Sequence, residues 1–161
     1  MKFINDLNEV MGKICSFIVF PLIGIVIYEL IMRYIFDSPT SWVHESSGFL
    51  LGAYSVLTAG FVQKSKGHVN VDILVGKFST KNQTIVRLLT SIIFYFFVGV
   101  IVWYTGKAAI ESIAMWEHTS TMWGPLYWPV RLYIPIGAIL LLLQGIVQFI
   151  EDLSTLKGGK I

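Results

Sequence analysis

Charge is scarce in this sequence. Asp, Glu, Lys and Arg make up 14% of its 161 residues, where an ordinary soluble domain carries about 25%. Hydrophobic residues make up 55%, and mean hydropathy is +0.69. A water-facing surface of this size cannot be built from so little charge, which excludes an ordinary soluble globule and indicates an integral membrane protein. Cysteine is rarer still. Cys15 stands alone, so no disulfide can form within the chain. His44, His68 and His118 all fall near span ends or in loops, where they cannot ligate a haem between helices. There is no GxxxxGK[ST], GxGxxG or HExxH, and no nucleophile triad. Enzyme activity, a bound cofactor and nucleic-acid binding are therefore not expected. Tandem and inverted repeats are also missing, and the chain is short for a duplicated transporter core.

Long apolar runs are abundant. A bilayer core of about 30 Å takes roughly 20 helical residues to cross. Four runs qualify, at about 14–36, 42–62, 88–106 and 132–150. Pro21 and Gly24 are expected to kink the first. It is longer than a signal-peptide core and lacks a small-residue exit, so it reads as a retained helix. The predicted fold is all-α: one membrane domain over residues 1–161, four transmembrane helices, interfacial amphipathic helices and both termini cytoplasmic.

Orientation follows from the basic residues. With the N-terminus inside, nine of the twelve Lys and Arg fall on the inner side; the others are Arg33, Lys107 and Arg131. Trp42, Trp116, Trp123, Tyr127, Trp128 and Tyr133 cluster towards the opposite face, as an aromatic belt would. Before the first span, Phe3, Ile4, Leu7, Val10, Met11 and Ile14 repeat at helical spacing, with Asp6, Asn8 and Glu9 between them. That pattern predicts an amphipathic helix over 1–13, lying on the inner interface. Residues 69–78 form a second interfacial candidate. The outer loop, about 107–131, holds three Trp and two Pro and is expected to dock on membrane or partner. The tail, 151–161, is read as cytoplasmic, with LKGGKI disordered.

Within the spans, Glu29 and Arg33 share a helix face four residues apart, acid first. Two readings compete. One is a structural ion pair that lowers the cost of burial; the other is a carrier acid in a small exporter. A permanently charged partner favours the ionised carboxylate, which disfavours the carrier role. Gly48 and Gly52 form a GxxxG whose small-residue face continues through Ser55, Ala59 and Gly60. Such a face suits close helix packing, against another subunit or against this chain's own spans. Ser41 is a candidate N-cap, and Glu45 falls in the first turn, where a carboxylate complements the helix dipole. In KGHVNVDIL, residues 66–74, His68 and Asp72 are too few to hold a metal. A structural turn is the expectation there.

The order of these features resembles a known family. Arg33-Tyr34-Ile35-Phe36 closes the first span, and Trp42 with Glu45 opens the second. Gly67-His68-Val69-Asn70-Val71-Asp72 follows it. Later come Ser120, Pro125, Trp128, Ile134-Pro135-Ile136-Gly137 and Leu143-Gln144. Nearly the whole chain is similar to the small, DctQ-like membrane subunit of tripartite ATP-independent periplasmic (TRAP) transporters. Where many members carry two acids, this chain has His44-Glu45, which leaves Glu45 to carry any such role. The resemblance implies a sodium-driven, binding-protein-dependent uptake system for organic acids in the bacterial inner membrane. The implied partners are a large DctM-like membrane subunit, a periplasmic solute-binding protein and the lipid bilayer. The small subunit would brace the large one and help dock the binding protein without holding substrate or sodium. Candidate contacts are Trp42, Glu45, Gly48, Gly52, His68, Asp72, Trp128 and Arg131. The alternative is a four-helix proton-coupled exporter acting as a homodimer; Arg33, the long outer loop and the charge bias weigh against it.

Overall fold

The computed structural model describes residues 2–64 and 80–156. Among them are six helices and no strand: α1 (Lys2–Ser16), α2 (Val19–Tyr34), α3 (Trp42–Leu57), α4 (Ala59–Lys64), α5 (Thr80–Ala114) and α6 (Trp128–Leu156). The second interfacial candidate, 69–78, and residues 157–161 lie outside the described residues, as do His68 and Asp72.

The break between α1 and α2 has a cause in the sequence. Pro21 has no N–H to offer the carbonyl of Phe17, and its ring crowds that carbonyl. The chain responds with tight three-residue bonds, Ile18 N–H to Cys15 O at 2.9 Å and Phe20 N–H to Phe17 O at 3.2 Å. The expected kink is therefore a break one turn before Pro21. At its far end α2 stops at a left-handed Asp37 (φ 49°), where Ser38 N–H reaches back to Met32 O at 2.9 Å. A second break divides the expected second span. The Thr58 hydroxyl donates to its own helix, to Tyr54 O at 2.7 Å, and competes with the backbone ladder. The helix resumes as α4 with Val62 N–H on Thr58 O at 2.9 Å.

Three helical stretches among the described residues are long and apolar enough to cross a membrane: Lys2–Tyr34, Leu88–Ala114 and Trp128–Ser154. α3 and α4 are each shorter than a span and run in series through 42–64. α5 has 35 residues, a length of about 50 Å at the usual helical rise, so it overshoots the expected 88–106 at both ends. α6 likewise runs past its expected bounds. Residues 151–156, assigned to the tail by sequence, continue the helix.

α6 is the central element. It packs against α5 on one side and against α3 and α4 on another, while α2 rests on α3. α1 turns back against α3, α4 and α6. The core includes Val98, Ala109, Ala138, Leu140 and Val147. Close approach of α3 to α6 depends on Gly137, since a Cβ there would strike the carbonyl oxygen of Val56.

The amphipathic helix forms, and part of its polar stripe turns inwards while Lys2, Asp6 and Lys13 stay exposed. Asn8 is wholly buried, and Glu9 reaches Lys64 of α4 at 2.8 Å. Phe3, Val10 and Ile14 are exposed. In an apolar medium an amide such as Asn8 finds its partners inside the protein, and Phe3, Val10 and Ile14 need none.

Candidate partner interface

The candidate residues converge at the corner where α2 ends and α3 begins. Arg33 sits in the last turn of α2 and donates from Nη2 and Nε to Glu29 Oε1, at 2.7 and 3.1 Å. The second Glu29 oxygen accepts from the Thr40 backbone N–H at 3.1 Å and from the Thr40 hydroxyl. Glu29 therefore ties one turn of α2 to the link that starts α3. Arg33 is the more open partner: 55% of its side chain is exposed, against 13% for Glu29. Ser41 takes the N-cap position of α3 but makes no side-chain cap bond; Thr40, beside it, bonds Glu29 instead.

Trp42 bridges two pieces. Its ring lies 5.7 Å from Tyr28 of α2 and 6.4 Å from Trp123. Trp123 belongs to the segment 115–127, which is a compact hairpin. Thr119 N–H bonds Pro125 O at 2.9 Å, and Tyr127 N–H bonds Glu117 O at 2.7 Å. The hairpin starts where α5 ends, at Trp116, held left-handed at φ 49°. Trp116 meets Trp128 edge-on at 6.4 Å. Arg131, one turn into α6, clamps the hairpin base: its Nη2 donates to Glu117 Oε1 at 2.8 Å, and its guanidinium lies over the Tyr127 ring. Phe49 of α3 touches the same Tyr127 ring, so hairpin, α3 and α6 join here.

Four polar atoms near these helix ends are buried without a hydrogen-bond partner: Glu45 Oε2, Ser112 Oγ, Trp128 Nε1 and Arg131 Nε. Among the described residues there is no group of three or more His, Cys, Asp or Glu that could hold a metal. The structure thus joins Trp42 and Arg131 to the hairpin and places Glu29 and Arg33 beside them. The GxxxG divides in two. A Cβ on Gly52 would lie 2.6 Å from the Tyr133 hydroxyl oxygen, so Gly52 serves the chain's own packing, whereas Gly48 faces open space. Thr40 and Glu117 complete the corner and were not among the sequence candidates. Both lie in connecting segments, where helical spacing gives no signal.

The outer faces of the assembly are apolar. α2 has no buried residue at all, and Phe20, Ile27 and Ile31 stand exposed along it. α5 exposes Ile93, Phe96, Phe97 and Trp103. Such surface is compatible with lipid or with other apolar helices, and not with water. These features define a helical membrane protein whose outer faces are apolar.

Residues 22–155 match the family of tripartite ATP-independent periplasmic transporters, DctQ component. The chain belongs to that family, which is one of transport proteins and not of enzymes. It is also similar to the sialic acid TRAP transporter permease protein SiaT of Haemophilus influenzae (strain 86-028NP). The two are 28% identical over 102 residues, covering 61% of this chain and 16% of the relative. The chain thus corresponds to a small part of that longer permease.

Proposed function

We propose that this chain is the small permease subunit of a sodium-driven, binding-protein-dependent transporter for uptake of an organic acid. It braces the scaffold of a large DctM-like membrane subunit and helps dock the periplasmic binding protein. It sits in the bacterial inner membrane with four spans, α3 and α4 together forming the second, and with both termini cytoplasmic. The observation that carries this reading is the state of α2: a 16-residue apolar helix with no buried residue, resting on α3, beside an open Gly48. A helix left so bare is suited to support a neighbour. The family match supports a transporter component, and the relative's name, sialic acid, supports an organic acid as solute. The basic bias of the inner segments supports the orientation.

The exporter alternative would use Glu29 as its carrier acid. Both Glu29 oxygens are already engaged, by Arg33 and by Thr40, which favours a structural role. The testing experiment is affinity purification of the C-terminally tagged chain from native membranes in mild detergent, with mass spectrometry of what co-purifies. A large polytopic membrane protein in roughly equal amount is expected. A chain that emerges alone, or only with copies of itself, would overturn the proposal.

A further inference from the structure

Beside the Glu29–Arg33 pair, which lines it, lies a groove between α2 and α3 of about 230 Å³, with Val26, Leu30, Tyr34, His44 and Ser47 in its walls. Its hydrogen-bonding capacity is one-sided. Glu29, the lining carboxylate, has both oxygens occupied. Arg33 has five N–H donors and uses only Nε–H and one on Nη2, both on Glu29. The remaining donors meet no acceptor among the described residues. His44 is exposed at the same rim, and the Ser47 hydroxyl spends its proton on His44 O at 2.9 Å. The groove therefore offers donors and a guanidinium to an acceptor-rich, anionic group.

Its walls ask for something else as well. Val26, Leu30 and Arg33 line it, and Ile23 continues the same three- and four-residue spacing beyond it, so the four form one stripe along α2. The three apolar members are each 42–50% exposed. The stripe leads along the helix to the guanidinium at its end. A small soluble anion would satisfy Arg33 but leave this track uncovered. A phospholipid satisfies both, with its phosphate on Arg33 and an acyl chain on Ile23, Val26 and Leu30. The geometry points to a phospholipid site in this groove, with the phosphate held by the free donors of Arg33 and assisted by His44.

This site rests on α2 crossing the bilayer and not on the transporter reading. The lipid can be counted per chain whether or not a large subunit co-purifies. The test is native mass spectrometry of the full chain, with whatever accompanies it, after exhaustive exchange into mild detergent. Retained phospholipid is compared between the wild type, Arg33→Gln and Ser47→Trp. Ser47→Trp fills the groove and leaves the Glu29–Arg33 pair in place. Each variant is expected to hold phosphatidylglycerol about tenfold more weakly, equivalent to about 1.4 kcal/mol, with helical content unchanged by circular dichroism. Added diacylglycerol, which lacks the phosphate, is expected not to displace the lipid. A benzophenone side chain at Tyr34 is expected to cross-link to lipid in intact membranes, and this readout needs no groove-filling variant. Equal retention in both variants, displacement by diacylglycerol, or cross-linking to protein alone would each overturn the site.

Discussion

Asn8 and Gln144, 136 positions apart, are joined by a buried hydrogen bond of 2.9 Å from Asn8 Nδ2 to Gln144 Oε1. Asn8 is 0% exposed and Gln144 2%. Gln144 in turn donates to Asn5 Oδ1 at 3.0 Å, and a turn further along α6 Gln148 pairs with Gln63 of α4 at 2.7 Å. Lys64 of α4 reaches both Asn5 O and Glu9. These amides and charges stitch α1 to α4 and α6. In a protein whose outer surface is apolar, such bonds specify which helices meet, because apolar faces alone discriminate poorly between neighbours and lipid.

Replacing Asn8 by Ala removes one partner and strands the buried Gln144 oxygen. The expected loss is about 1 to 2 kcal/mol, the range for a buried polar group left unpaired. Adding Gln144→Leu to Asn8→Leu should cost less than the two single changes summed, since neither amide is then orphaned. Denaturant titration in detergent micelles checks this. Strict additivity would show that the pair is not coupled.

The helix over 1–13 was legible from the spacing of Phe3, Leu7, Val10 and Ile14, but its orientation was not. Periodicity locates a polar stripe without saying which medium the other stripe faces. In water Asn8 would turn outwards; against lipid it turns in. The limits of α5 and α6 were missed for a related reason. Hydropathy marks where the apolar core ends, whereas the helices continue through Lys107, Glu111 and Glu151, which lie beyond it. Pro21 announced a disruption, and its effect fell at Phe17, whose carbonyl lacks the usual four-residue donor and accepts from Phe20 N–H instead. The break at Thr58 had no comparable signal, because a threonine in a helix bonds its own backbone only in some settings. Glu29 and Arg33 could be paired by spacing; Thr40, eleven residues from Glu29, could not.

The split GxxxG gives a contrast between two glycines and a third on α6. Gly137→Ala places a methyl against the Val56 carbonyl, which is backbone and cannot rotate away. A loss of about 1 to 3 kcal/mol in chain stability is expected from overpacking. Gly48→Leu meets open space, so chain stability should stay within about 0.5 kcal/mol. On the proposed bracing role, the same change should lower recovery of the large subunit. Melting in detergent and co-purification yield, measured side by side, separate the two effects. A Gly48→Leu chain that retains its partner in full would move the contact elsewhere on α3.

Glu29→Gln keeps the shape of the side chain and removes its charge. The Thr40 bonds can persist through the amide oxygen, while Arg33 loses its ion pair. Because Arg33 is more than half exposed, the cost is small, as for other surface ion pairs. The variant should assemble less stably yet transport with an unchanged ion-to-solute ratio, measured by paired isotope fluxes in proteoliposomes. A changed ratio would place Glu29 in the transport pathway.

Arg131 fixes the hairpin by two different contacts, the ion pair to Glu117 and the stack on Tyr127. Lysine can supply the charge but not the planar guanidinium. Arg131→Lys is therefore expected to loosen the hairpin partly, and Arg131→Gln to loosen it more. Amide exchange reports this directly, because the N–H groups of Thr119 and Tyr127 close the hairpin on Pro125 O and Glu117 O. Both amides should exchange faster in the order wild type, Lys, Gln, while amides in the middle of α6 keep their protection. A uniform rise along α6 would show that Arg131 holds the helix itself. Unchanged exchange at both amides would show that the hairpin stands on its own bonds, leaving Arg131 free for a partner.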